Sequence, residues 1–185
     1  QKGTDPFVKA MIELLPDHPD WMAVISGRVT PEHSGFADQL KAEIAAAGLK
    51  ERIRFLGEVD DIKPWYRRLT LYVAPSRNEG FGLTPLEAMA SGTAVVASDA
   101  GAYAEMIIEN QTGAVVPAGD YIRLRDAIAA FLNPQKAIEA GRKGRQHVEA
   151  TFGLTREAEQ LGDVYASLLS TTRPSPHVTV TQGNG

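Results

Sequence analysis

Two glutamates bracket a glycine-rich turn near the middle of the chain. Glu79 and Glu87 are eight positions apart, and Gly80 and Gly82 lie between them. Glycine adopts backbone conformations, including positive φ, that other residues resist, so the turn can bring backbone N–H groups close to a phosphate-sized anion. A carboxylate beside that anion would repel it unless the carboxylate faced neutral hydroxyl groups of the same ligand. The pattern therefore predicts a ligand that carries both phosphate and hydroxyl groups.

The same stretch has the sequence of a helix start. Residues 71–74 are a short apolar run that predicts a strand, and residues 84–91 predict the helix that follows the turn. Thr84 is a good N-cap, Pro85 suits the first helical position, and Glu87 could bond back to the N–H of Thr84 as a capping box. On local chemistry alone, this capping role and a ligand role for Glu87 both remain open.

The residues on and around the turn resemble the donor-binding motif of the retaining glycosyltransferases, in the large GT-B group usually numbered family four. Glu79 and Glu87 with Gly-Phe-Gly between them are the centre of that motif. The resemblance covers roughly residues 1–170. It continues through a Lys-Gly phosphate motif at residues 2–5 and a base-binding loop at residues 55–59. It also includes residues 73–76 before the turn, residues 88–92 after it, and a later strand at residues 112–117.

The resemblance implies a role for each matching residue. Glu87 would bond the ribose hydroxyls of a nucleotide, and Glu79 would contact hydroxyls of the donor sugar. Lys2 would pair with the diphosphate and stabilise the leaving group, although a solvated terminal lysine is the plainer alternative. Val59 would lie against the base. Four backbone amides would lie near the diphosphate and the sugar, those of Gly80, Phe81, Gly82 and Leu83.

Alternating helix and strand patterns predict a Rossmann-like α/β domain, with a parallel sheet covered by helices on both faces. This would be the C-terminal half of a GT-B enzyme, with extra C-terminal helices at residues 121–132, 136–151 and 156–169. We assign residues 1–170 to this nucleotide-sugar-binding domain. The resemblance implies that its first strand and a Gly-Arg pair are missing, so the domain is expected to be truncated at its N-terminal edge. Residues 171–185, rich in Pro, Thr, Ser and Gly, are predicted to be a disordered tail.

The composition of the chain excludes several classes of site and argues against some classes of function. The 185 residues, 43% of them hydrophobic, suffice for one core, and a net charge of -4 argues against a general nucleic-acid binder. The chain has no cysteine, which excludes disulfides and thiolate metal sites. No apolar run approaches the roughly 20 residues needed to cross a bilayer, so the expected location is cytoplasmic. A basic stretch at residues 142–145 leaves peripheral contact with the inner membrane open, but a solvated helix face is favoured.

The resemblance implies transfer of a hexose from a nucleoside diphosphate to an acceptor hydroxyl, without metal or another cofactor. Residues 93–99 suggest a bacterial mannosyltransferase of lipopolysaccharide core assembly that uses GDP-mannose. The glycolipid or lipopolysaccharide acceptor would bind mainly to the missing N-terminal domain, so this chain alone is expected to be inactive. Three alternatives remain, because fold alone does not exclude them: a hexosyltransferase that uses a UDP- or ADP-sugar, a GT-B epimerase, and a non-catalytic nucleotide-sugar-binding module.

Overall fold

The computed structural model describes residues 1–171, in which five strands alternate with helices. The strands are β1 (Ala23–Ser26), β2 (Ile53–Gly57), β3 (Leu71–Ala74), β4 (Ala94–Ser98) and β5 (Gly113–Val116). The α-helices are α1 (Thr4–Leu14), α2 (Ser34–Ala46), α3 (Lys63–Tyr66), α4 (Leu83–Ala90), α5 (Tyr103–Met106), α6 (Tyr121–Phe131), α7 (Pro134–Thr151) and α8 (Leu154–Thr171). Two short 3-10 turns lie at Leu15–Asp17 and Pro31–His33.

All strand pairs in the described part of the chain are parallel, as the alternation predicts. They form two pieces of sheet, one with the order β1-β2 and one with the order β3-β4-β5. Every residue of β4 is buried, and both α4 and α6 pack on this strand. Its apolar run, Ala-Val-Val-Ala, is typical of a parallel strand that is covered on both faces.

One hydrophobic core joins the two pieces of sheet. It contains side chains of α1, α2 and α6 together with residues from both pieces, including Val8, Leu40, Ile53, Val96 and Ile128. Helix α1 packs against α6, so these two helices lie over the region where the pieces approach each other. Burial of this apolar surface is the main stabilising contribution to the fold.

Arg52 orders the connection between α1 and β1. Its guanidinium group, which is partly buried, donates to the backbone carbonyls of Leu15, His18 and Trp21. A guanidinium has five donors in a fixed planar arrangement, so one side chain can satisfy several carbonyls at once. The start of β1 is therefore fixed by the residue that precedes β2.

The chain divides into two compact units, Gln1–Glu149 and a second unit that begins at Ala150. The described part of the second unit contains α8, where several apolar side chains are exposed, among them Leu161, Val164 and Leu168. The division of the chain into a domain at residues 1–170 and a tail stays a prediction, and the tail from residue 172 lies outside the described residues. Up to Thr171, the chain has no helix with both the length and the apolar character that a membrane crossing requires.

Candidate functional site

The predicted turn connects β3 to α4, and Gly82 fixes its geometry. Gly82 has φ 74° and is the N-cap of α4. A Cβ atom at this position would lie 2.3 Å from the Tyr103 ring and 2.9 Å from Cγ of Glu79, so only glycine fits. Among the described residues, no side chain caps α4. The first N–H groups of the helix, and its positive dipole end, are thus available to an anion.

The capping-box interpretation of Glu87 is wrong. Helix α4 begins at Leu83, one residue earlier than predicted, which puts Thr84 and Pro85 inside the first turn. Proline is tolerated there because the first N–H groups of a helix have no intrahelical acceptor. The Glu87 carboxylate instead accepts a hydrogen bond from the Tyr66 hydroxyl at 3.1 Å. Glu87 itself is exposed, so it is accessible to a ligand.

Glu79 and Lys2, two predicted site residues separated by 77 positions, meet in the fold. Lys2 Nζ lies 2.8 Å from Oε2 of Glu79. The same oxygen accepts from the hydroxyls of Ser76 at 3.2 Å and Tyr103 at 3.3 Å. The hydrogen bond from Lys2 lowers the pKa of Glu79 although partial burial opposes the shift, so Glu79 stays ionised at neutral pH. The side chain of Lys2 is 72% exposed, and an exposed ion pair of this kind is weak enough for Lys2 to move to a stronger anion.

Two tyrosines, Tyr66 and Tyr103, donate hydrogen bonds to the two glutamates, and Tyr72 packs beside Tyr66; the sequence analysis missed all three. The rings of Tyr66 and Tyr72 make an edge-on contact at 5.4 Å, and Tyr103 bonds Glu79. Burial is the main cause that raises the pKa of all three tyrosines, which therefore keep their protons. Tyr66 and Tyr103 use these protons to donate to Glu87 and Glu79. The available signal was weak, because a tyrosine among apolar residues is equally typical of an ordinary core position.

A second set of contacts ties the start of the chain to the turn. The Arg77 guanidinium bonds both carboxylate oxygens of Asp5, at 2.8 and 2.6 Å, and this pairing lowers the pKa of Asp5. The Arg77 N–H donates to the carbonyl of Gln1 at 2.8 Å. Gly3, with φ 69°, lies so close to Pro75 that an added Cβ would be 1.7 Å from the Pro75 carbonyl oxygen. Of the Lys-Gly pair singled out in the sequence, Gly3 is therefore required by this close approach.

One further prediction concerns a residue away from the turn. Val59 follows β2, which is not in the same piece of sheet as β3, and its contact with a base stays a prediction. In the same loop, Asp61 accepts from the N–H of Lys63 at 3.0 Å, at the start of α3. Within residues 1–171, no group of three or more His, Cys, Asp or Glu side chains is arranged to hold a metal ion.

The basic stretch on α7 is engaged within its own helix. Lys143 pairs with Glu139 and Arg145 with Glu149, both at 2.8 Å, and Arg142 donates to Gln146 at 3.3 Å. Pairs at this spacing are usual on a solvated helix face. The geometry favours the solvated interpretation over contact with lipid headgroups.

The arrangement suits a ligand with an anionic centre and hydroxyl groups around it. The N-terminus of α4 and Lys2 supply positive potential, while the carboxylates of Glu79 and Glu87 accept hydrogen bonds from hydroxyls. The turn amides predicted to contribute, from Gly80 to Leu83, lie between the two glutamates, and Phe81 and Leu83 expose their apolar side chains beside them.

Two known proteins that are similar to this chain share one descriptive name. The chain is 66% identical over 174 residues to the lipopolysaccharide core biosynthesis mannosyltransferase LpcC of Rhizobium leguminosarum bv. viciae, covering 94% of this chain and 49% of that protein. It is 46% identical over 172 residues to the lipopolysaccharide core biosynthesis mannosyltransferase LpsB of Rhizobium meliloti, covering 91% of this chain and 49% of that protein. The chain thus spans about half the length of both relatives.

A solved structure supports the fold class. The crystal structure of the C-terminal domain of a glycosyl transferase group 1 family protein (LpcC) from Francisella tularensis superimposes with a TM-score of 0.79 at 35% identity, covering 83% of this chain and 80% of that one. The predicted Rossmann-like class, with a parallel sheet and helices on both faces, is confirmed. Residues 1–147 match the family described as "Glycosyl transferases group 1". With most of its length matched by this family, the chain belongs to the group 1 glycosyl transferases.

Proposed function

We propose that this chain is the donor-binding half of a retaining glycosyltransferase, which transfers mannose from GDP-mannose to a glycolipid or lipopolysaccharide core acceptor. The observation that carries the proposal is the position of Glu79 in the turn before the uncapped N-terminus of α4 and of Glu87 on α4 itself, with Lys2 at hydrogen-bond distance from Glu79. The names of the two mannosyltransferase relatives support the choice of sugar and acceptor.

In this proposal the donor is held by groups of complementary chemistry. The diphosphate lies at the N–H groups of the turn and of α4, Glu87 accepts from the ribose hydroxyls, and Glu79 accepts from hydroxyls of the sugar. Lys2 transfers from Glu79 to the diphosphate, where it stabilises the negative charge that develops as the glycosidic bond breaks. Neither a metal nor another cofactor is required, because the lysine and the helix end supply the positive charge.

The test is a calorimetric titration of the chain with GDP, UDP and ADP. We expect GDP to bind most tightly of the three nucleotides. Glu87→Gln should weaken GDP binding at least tenfold, since replacing the carboxylate by a neutral amide removes a charged hydrogen bond worth about 1.5–3 kcal/mol. Glu105→Gln is the matched control, because Glu105 is an exposed glutamate on α5. Equal GDP affinity in Glu87→Gln and the parent chain would contradict the ribose role.

The other nucleotides distinguish the alternatives. Tighter binding of UDP or ADP than of GDP would indicate a UDP- or ADP-sugar as the donor instead of GDP-mannose, and the proposed nucleotide site would stand. An epimerase or a non-catalytic binding module would bind the nucleotide sugar equally well, but the full-length protein would then transfer no sugar to an acceptor.

A further inference from the structure

Arg77 contacts the main chain on both sides of Lys2. Its backbone N–H donates to the carbonyl of Gln1 at 2.8 Å. Its guanidinium donates to both carboxylate oxygens of Asp5, at 2.8 and 2.6 Å. A guanidinium that forms two parallel bonds with one carboxylate has a defined orientation, and such pairs are stronger than single hydrogen bonds. The chain is thus attached to Arg77 one residue before Lys2 and three residues after it.

Gly3 restricts the same segment between these two contacts. It has φ 69° and directly precedes α1 as the N-cap residue of that helix. Its backbone lies against the carbonyl of Pro75, where an added Cβ would be 1.7 Å from the oxygen. Lys2 therefore lies on a stretch of backbone with little freedom, although its side chain is 72% exposed. The ammonium group can change partners while the backbone of Lys2 stays in place.

The guanidinium of Arg77 is already engaged and is not free to bind an anion. An arginine two residues before Glu79 would ordinarily be assigned as a phosphate ligand, because its planar group of donors matches phosphate. Both terminal nitrogens of Arg77, however, are bonded to Asp5. Since these two charges offset each other, the pair adds little net potential at the turn. Its effect on a bound anion is therefore expected to act through the position of Lys2.

We propose that Asp5 and Arg77 are positioning residues, which hold the backbone of Lys2 where its ammonium group reaches both Glu79 and the diphosphate of a ligand. We call this pair the clamp. Before a ligand binds, the clamp maintains the contact of Lys2 Nζ with Oε2 of Glu79, at 2.8 Å. The part that concerns the diphosphate rests on the proposed function, whereas the placement of Lys2 at Glu79 does not.

The variant Asp5→Ala separates positioning from a direct effect of charge. By charge alone, removal of a carboxylate should lower the pKa of Glu79, because a like charge disfavours ionisation. Loss of the clamp should instead raise the pKa of Glu79, since the hydrogen bond from Lys2 is the main cause that lowers it. Carbon NMR of the Glu79 carboxyl group measures this pKa in the chain without any nucleotide. We expect a rise in Asp5→Ala, in the same direction as in Lys2→Met.

Nucleotide binding gives a second comparison of opposite signs. By charge alone, Asp5→Ala should strengthen the binding of an anion, whereas loss of the clamp should weaken it. We expect calorimetric titration to show GDP binding about fivefold weaker in Asp5→Ala, and a smaller loss for GMP, which lacks the terminal phosphate. In a Lys2→Met chain, Asp5→Ala should cause no further loss of GDP affinity, because the residue that the clamp positions is gone.

Two more variants complete the test. Asp126→Ala is the matched control, because Asp126 is an exposed aspartate that pairs with Arg125 on α6, at 2.7 Å. It should leave the pKa of Glu79 and the affinity for GDP unchanged. Asp5→Asn keeps the size of the side chain and removes the same charge. It takes the place of Asp5→Ala if that variant does not fold.

The proposal is overturned if loss of the Asp5 carboxylate leaves the pKa of Glu79 unchanged or lowers it. An unchanged pKa in Lys2→Met would also overturn it, because no pairing would then exist for the clamp to maintain. If the parent chain bound no GDP, the proposed function would be contradicted. The NMR titration would still decide whether the clamp positions Lys2, since it uses no nucleotide.

Discussion

At the residue scale, the glutamates of the site are positioned by buried tyrosines. Tyr66 is 2% exposed and donates to Glu87, while Tyr103 is 1% exposed and donates to Glu79. A buried ring has a fixed position because surrounding atoms pack against it on all sides. Each carboxylate is thereby held in place before any ligand binds, which reduces the ordering cost of binding.

Removal of the Tyr66 hydroxyl should weaken nucleotide binding without unfolding the chain. Tyr66→Phe keeps the ring and deletes only the donor to Glu87, so we expect GDP affinity to fall by about fivefold to tenfold, less than in Glu87→Gln because the carboxylate itself remains. Tyr72→Phe is the control, since its ring belongs to the same cluster and its hydroxyl interacts with Thr84. Calorimetric titration measures both variants, and equal losses in the two would argue against a specific positioning role.

Glu79 should contribute to the pH dependence of stability. Its pKa is lowered from the usual 4.5 in the folded chain, mainly by the hydrogen bond from Lys2. The ionised carboxylate therefore stabilises the fold above that value, and this contribution is lost as pH falls through the lowered pKa. Urea unfolding between pH 6 and pH 3 should show a smaller loss of stability in Glu79→Gln than in the parent chain. Glu105→Gln should behave like the parent, and identical curves for all three would refute the assignment.

At the element scale, strands and helices were largely predictable and their ends were less so. β3 was predicted at residues 71–74 and is found there, because a short apolar run between turn residues has one simple interpretation. The start of α4 was misplaced because Thr84 and Pro85 match a common helix start, while the left-handed conformation of Gly82 ends the turn earlier. The tyrosine partners of the glutamates come from segments 21 and 24 positions away, and no local pattern reports such contacts.

The connection that Arg52 orders provides an element-scale prediction. Arg52→Ala removes one side chain from three backbone carbonyls, and we expect the free energy of unfolding to fall by roughly 2–4 kcal/mol because partly buried carbonyls lose a charged donor. Arg54→Ala, an exposed arginine on β2, is the control and should change stability little. Urea denaturation of both variants checks the difference, and equal effects would show that the contacts of Arg52 add nothing.

At the scale of the whole molecule, the parallel α/β class followed from the alternation of elements. The separation of the sheet into two pieces came only with the structure, because strand neighbours depend on long-range packing rather than on local sequence. The identity of the base and of the acceptor depends on a few side chains, and neither the periodicity nor the fold determines them.

The isolated chain should bind the donor and transfer nothing. We expect no mannosylated product from the chain with GDP-mannose and a lipopolysaccharide core acceptor, since an acceptor bound by another domain is not held close to the donor. The full-length protein is the positive control, measured by mass spectrometry of the acceptor. Product formed by the chain alone would contradict the proposal that the acceptor binds mainly elsewhere.

The use of backbone carbonyls by Arg52 has a consequence for sequence variation. Carbonyl groups are common to all residues, so the connection from Leu15 to Trp21 is specified by a single arginine outside it and not by its own side chains. Pro16, Asp17, Pro19 and Asp20 in this segment are exposed. A library that randomises those four positions should yield mostly folded chains, whereas a library at position 52 should yield few. The positions that contact Arg52 only through their backbone, or do not contact it, should thus tolerate substitution better than position 52 itself.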